Sequence, residues 1–117
     1  MSKIVQAVNA MISNSDRITN VIQGSNEIFF VYNGKYKWSM TWRDNGHYLW
    51  FYPGSETIEQ LSEEQWENDV AMVTYKDTDI GTKEAKASFA ELYSVLKEKV
   101  FGMDKVFDDI ISDDTPF

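Results

Sequence analysis

The sequence predicts an α+β fold in which helices pack on an antiparallel sheet. Apolar residues recur at helical spacing near both ends of the chain, large and polar side chains alternate in its middle, and turn signals separate the alternating runs. The predicted order is an N-terminal helix, a three-stranded antiparallel meander, a short acidic helix, a fourth strand and a long C-terminal helix packed on the sheet. Strands that follow one another and are flanked by helices favour an antiparallel sheet.

The first helix is predicted over residues 2–13. Its apolar residues stand three or four positions apart, and Ser2 precedes them as an available N-cap. The following segment, residues 14–24, is ambiguous, because its few apolar residues fit either a short second helix or a strand. We favour the helix for this segment.

The clearest strand signals lie in the middle of the chain. Glu27–Tyr32 is rich in residues that favour strands, and the Asn33-Gly34 dipeptide that follows is preferred in two-residue hairpin turns, whose central positions need positive φ. Lys35–Trp42 alternates strictly between large and polar side chains. A second turn at 43–46 and a third strand at His47–Tyr52 complete the predicted meander.

The rest of the chain predicts further elements. A short acidic helix is expected near residues 55–66 and a fourth strand near residues 69–76. Thr82 is placed to cap the longest helix, which would run to about Phe101 and end at Gly102. Five apolar residues beyond that glycine are spaced for one more short helix.

Charge is the main compositional feature. The 117 residues include 19 Asp and Glu against 11 Lys and Arg, a net charge of −8. We expect a single domain over residues 1–103 and an acidic C-terminal extension over residues 104–117. This charge repels duplex nucleic acid and favours basic partners. The chain has no cysteine, no apolar run long enough for a membrane span and no signal-peptide pattern, so a cytoplasmic location is expected.

The hairpin register predicts large side chains on both faces of the meander. If Asn33-Gly34 is a two-residue loop, one face carries Trp38 and Met40 and the other carries six large side chains. Those six would expose on the order of 600 Å², as much as the largest patch on a typical monomer. The cover would be the protein's own N-terminal or C-terminal helix, a partner, a second copy of the chain or a flat ligand. The six residues are Ile28, Phe30, Tyr32, Tyr48, Trp50 and Tyr52.

These features favour a non-catalytic, acidic protein-binding module of the inhibitor, immunity-protein, secretion-chaperone or anti-defence regulator type. Its partner would present a basic or partly apolar surface, since aromatic side chains anchor interfaces and acidic residues steer basic targets. A homodimer is the other arrangement considered. The predicted partner-binding residues combine the rings of the second face with one lysine and the acids of the short helix: Phe30, Tyr32, Lys37, Tyr48, Trp50, Tyr52, Glu63, Glu64 and Glu67.

The alternative is a small-ligand-binding or enzymatic domain with an aromatic-lined pocket between the sheet and the long helix. Its walls would be Trp38, Trp42, His47 and Tyr48. His47 could act as a general base, but no companion stands at a spacing typical of catalysis. The acidic residues near position 78 do not match a calcium-binding loop. We therefore expect no enzyme activity, no cofactor and no metal. Single-stranded nucleic acid is disfavoured because basic residues near the aromatic face are few.

Overall fold

The computed structural model describes residues 2–63 and 70–113. Its helices are α1 (Lys3–Ser13), α2 (Ile58–Ser62), α3 (Asp77–Ile80), α4 (Lys83–Val100) and α5 (Met103–Asp113). Its strands are β1 (Ile18–Gln23), β2 (Ile28–Tyr32), β3 (Tyr36–Arg43), β4 (Gly46–Tyr52) and β5 (Val73–Lys76). The strands form one antiparallel sheet in the order β1-β2-β3-β4-β5. The predicted α+β class, with a long C-terminal helix packed on the sheet, is confirmed.

Local signals explain where the two main helices begin and end. The hydroxyl of Ser2 accepts a hydrogen bond from the Val5 amide at 3.4 Å, and that of Thr82 accepts one from the Ala85 amide at 3.1 Å. Both predicted N-caps are therefore confirmed. Helix α4 ends just before Gly102, whose φ of 64° lies in the left-handed region that favours glycine.

The segment predicted as a short second helix, residues 14–24, contains the edge strand β1, so that prediction was wrong. The register of β1 against β2 shifts at a bulge where Asn20 has a φ of 53°. Because of the bulge, Ile18 and Val21 pack on one side of the sheet and Ile22 on the other. Because the bulge interrupts the usual alternation of a strand, Ile18, Val21 and Ile22 have the spacing that is typical of a helix.

The first hairpin turns as predicted but pairs differently. Asn33 and Gly34 both have positive φ, 56° and 74°, as the turn requires. Lys35 is then an extra residue between the strands, and Phe30 pairs with Trp38. This shift by one residue moves every side chain of β2 to the face opposite the predicted one. The sequence does not choose between the two registers, because β2 is apolar at every position.

The second hairpin joins β3 and β4 through a two-residue turn of Asp44 and Asn45, both with positive φ. Met40 pairs with Leu49, so the side chains predicted to share a face across this hairpin do so. We call this side the helix face, since α1 and α4 cover it. Its buried core consists of Val8, Met11, Ile18, Ile28, Phe30, Met40, Leu49, Phe89, Leu92 and Leu96.

The opposite side of the sheet, the second face, is covered by the short helix α2. Ile58 and Leu61 of α2 are only 4% and 1% exposed. The Thr57 hydroxyl and the Gln60 side chain each accept a hydrogen bond from the other residue's amide, so the helix starts with a capping box. The buried hydrophobic cluster on this side consists of Phe29, Val31, Trp50, Tyr52, Ile58 and Leu61. The cover predicted to come from a terminal helix is therefore supplied by α2.

We predict that Leu61→Ala lowers the free energy of unfolding by about 3 kcal/mol, because it leaves a cavity under α2. Urea denaturation followed by tryptophan fluorescence measures the change. Glu59→Ala, an exposed position on the same helix, is the matched control and should change stability by less than about 0.5 kcal/mol. Equal effects of the two substitutions would show that α2 does not seal the second face.

Candidate functional site

The residues predicted to bind a partner are divided between the two faces of the sheet. Phe30 is fully buried on the helix face, and Tyr32 is half-buried on the same side. Their predicted place on the second face was wrong, because the extra residue Lys35 shifts the register of β2. Phe30 has no exposed area with which to contact a partner.

Trp50 and Tyr52 do lie on the second face, but they are only 7% and 2% exposed. The Tyr52 hydroxyl shares a hydrogen bond of 2.7 Å with the Ser39 hydroxyl. Burial raises the pKa of Tyr52 to about 12, although the hydrogen bond with Ser39 acts in the opposite direction. The exposed aromatic surface predicted here is therefore mostly core, and these two rings hold α2 on the sheet.

Tyr48 is half-buried at the edge of the second face, where rings and cations stack. Its ring lies 5.3 Å from that of Trp50 and almost parallel to it. The Arg43 guanidinium is 4.9 Å from the Tyr48 ring centroid, and the Lys76 ammonium is 4.7 Å from it. Hydrogen bonding to the Tyr48 side chain raises the pKa of Lys76. Much of the Tyr48 surface is thus engaged by neighbours within the chain.

The four charged residues of the predicted site do not share one environment. Lys37 binds the loop after β4, donating hydrogen bonds to the carbonyl of Gly54 at 2.5 Å and to that of Glu56. Glu63 is exposed at the end of α2. Glu64 and Glu67 lie outside the described residues. The role of these acids in binding stays a prediction.

The side chains predicted to line a pocket come together only in part. Trp42 and His47 are neighbours on the helix face, with ring centroids 4.6 Å apart. Tyr48 lies on the opposite face, and Trp38 lies farther along the sheet. The Nδ1 atom of His47 is 3.0 Å from a carboxylate oxygen of Asp77, a contact that the sequence did not predict.

A stripe of exposed apolar residues follows one side of α5. The spacing of its members by three or four residues places them on one side of the helix. Helix α5 packs chiefly against α4 and leaves this stripe largely in solvent. The sequence predicts this helix from the same spacing, but it does not predict that the apolar side of the helix is exposed. The exposed members of this α5 stripe are Val106 (41%), Phe107 (44%), Ile110 (60%) and Ile111 (66%).

Aspartates border the α5 stripe. On a helical projection, Asp104 and Asp108 follow one of its edges and Asp109 follows the other. Lys105 is the one basic residue of α5, against four aspartates. The helix therefore combines an exposed apolar surface with a negative rim, which is the arrangement expected of an interface that attracts a basic partner.

We predict that the free energy of unfolding falls as the pH rises from about 10 to about 12. In this window an unfolded chain has released the Tyr52 proton while the folded chain keeps it, so higher pH favours unfolding. Of the roughly 3 kcal/mol that corresponds to this rise in the pKa, about 2 kcal/mol is lost between pH 9 and pH 11.5. Urea denaturation near pH 9 and pH 11.5 measures it. Between these pH values the free energy of unfolding of the Tyr52→Phe variant should fall by about 2 kcal/mol less than that of the unmodified chain. Equal decreases for the two proteins would contradict burial of a neutral tyrosine.

No helix among residues 2–63 and 70–113 is long and apolar enough to cross a membrane. Within those same residues, no group of three or more histidine and acidic side chains could hold a metal ion. Comparison with protein-family models, curated proteins and solved structures finds no match to this chain. The candidate site is therefore defined by its own geometry, which is the α5 stripe with its aspartate borders.

Proposed function

We propose that the chain is a non-catalytic, acidic protein-binding module of the inhibitor, immunity-protein, secretion-chaperone or regulator type. In this proposal α5 docks in an apolar groove of a protein partner, and lysines or arginines at the rim of the groove pair with the aspartates of α5. The observation that carries the proposal is the α5 stripe, exposed and bordered by Asp104, Asp108 and Asp109. An amphipathic helix seated in a groove is a recurring mode of protein recognition.

The exposed area of the α5 stripe is large enough to matter for binding. Its four side chains present on the order of 400 Å², comparable to the largest apolar patch on a typical monomer. Burying that area contributes on the order of 10 kcal/mol, which is similar to the entropic cost of association. Apolar contact by α5 alone would therefore leave little net affinity, and a second contribution is needed.

Charge supplies that second contribution and also selects the class of partner. Basic residues facing the aspartates of α5 would form charge-assisted hydrogen bonds and would accelerate encounter with this chain of net charge −8. Two copies of α5 packed stripe to stripe would instead bring the borders at Asp108 and Asp109 close to their own copies. Self-association is therefore the less favourable use of the stripe.

We predict that Ile110→Asp weakens partner binding at least tenfold, because it places a charge in the middle of the apolar stripe. The matched control is Ser112→Asp, which adds the same charge to the polar side of the same helix. Affinity capture from a lysate of the source cells identifies the partner, and calorimetric titration of the purified partner then measures affinity for each variant. Both substitutions are on exposed positions, so circular dichroism should show an unchanged fold.

Two outcomes would contradict this proposal. One is equal affinity of the Ile110→Asp and Ser112→Asp variants for the purified partner. The other is sedimentation of the unmodified chain as a dimer that Ile110→Asp, but not Ser112→Asp, converts to monomer. That second result would assign the α5 stripe to a second copy of the chain.

We also predict that the acidic border sets the association rate. Replacing Asp108 and Asp109 together by Asn should slow association about threefold at low salt, and the difference should shrink as salt screens the charges. Stopped-flow mixing with the purified partner at several salt concentrations measures it. Asp16→Asn combined with Glu59→Gln removes the same charge elsewhere and serves as control. Equal rates for both double variants would mean that the border has no local effect.

A further inference from the structure

A cavity of about 300 Å³ opens beside the turn between β3 and β4, away from the α5 stripe. It brings together groups from the turn, from α3 and from the first half of α4. Nothing in the proposed function uses it. The residues lining the cavity are Trp42, Asn45, His47, Asp77, Thr78 and Lys86.

The imidazole of His47 is held in one orientation at this cavity. Asp77, only 3% exposed, accepts hydrogen bonds of 3.0 Å from the His47 backbone amide and from its Nδ1 atom. The turn approaches Asp77 so closely that a Cβ at Gly46 would lie 3.1 Å from the carboxylate and 2.8 Å from Lys76. With Nδ1 donating to Asp77, Nε2 makes no hydrogen bond to any residue in the described part of the chain.

Aromatic rings form one wall of the cavity. Trp42 is 51% exposed, although a tryptophan on this face of the sheet could have been buried beneath the helices. Its ring centroid is 4.6 Å from that of His47, and His47 in turn lies 5.3 Å from Tyr93 of α4. The Trp42 ring therefore contacts the tilted ring of His47 and remains half exposed to solvent, which leaves ring surface on which a flat ligand can stack.

Lys86 supplies a positive charge at the same cavity. It is exposed on α4 and forms no ion pair with any residue that the structure describes. The carboxylate of Asp77, the acidic group in the cavity lining, is engaged by His47 and almost fully buried. An incoming anion would thus meet an unpaired ammonium rather than an unpaired carboxylate, even in a chain of net charge −8.

We propose that this cavity binds a small planar aromatic carboxylate. The ring of the ligand stacks on Trp42, and its carboxylate pairs with Lys86. Asn45 and Thr78 also line the cavity, and the amide and hydroxyl of these residue types can donate hydrogen bonds. This binding activity is separate from the partner surface on α5, and either proposal can fail without the other.

The test is a titration of the full chain with sodium benzoate and with indole-3-carboxylate, followed by ¹H–¹⁵N spectra. A ligand of this size is expected to bind with a Kd of about 1 mM. The indole signal of Trp42, assigned with the Trp42→Phe variant, and the backbone signals of Gly46 and His47 should shift and saturate. Benzamide, which has the same shape without the charge, should bind about tenfold more weakly.

Variants locate the charge that recognises the carboxylate. Lys86→Met should weaken benzoate binding about tenfold, whereas Lys105→Met, which removes the same charge from α5, should change it less than about twofold. Three results would overturn the proposal: no saturable shift up to about 20 mM ligand, equal effects of the two lysine variants, or shifts centred on Arg43 and Tyr48 instead of Trp42.

Discussion

Large side chains on both faces of β2 and β4 are the constraint on which this fold depends. An antiparallel sheet exposed on one side is normally polar there, and this one is not. Both faces therefore need an apolar cover. Helices α1 and α4 cover one face, while α2, with only five residues, covers the other. A helix that short gains little from its own hydrogen bonds, so its place depends on burying Ile58 and Leu61.

Helix α5 lies outside both cores. Helices α1 and α4 cover the core of the helix face, α2 covers that of the second face, and the apolar side of α5 stays exposed beyond α4. The same constraint explains why the large aromatic content does not create a large exposed aromatic face. Trp50 and Tyr52 stabilise the fold, and the surface available to a partner lies on the helix that the sheet does not need.

Polar groups join the sheet to the segments around it. Lys37 donates hydrogen bonds to the loop before α2. The hydroxyls of Ser39 and Tyr52 form a hydrogen bond with each other in the buried part of the second face. Asp77 connects the start of α3 to His47 at the turn between β3 and β4. The Asp77 contacts anchor one border of the cavity, and all of these hydrogen bonds join residues far apart in the sequence.

The amino-acid pattern by itself determined the α+β class, the strands β3 and β4, the N-caps at Ser2 and Thr82, and the turn chemistry of both hairpins. Only the tertiary structure decided the register of β2, the strand character of β1, the cover of the second face and the exposure of α5. A one-residue change of register is visible in a sequence only when one face is polar, and β2 is apolar throughout. Whether the apolar side of a helix such as α5 is buried likewise depends on how the other elements pack. The spacing of residues within that helix does not give this information.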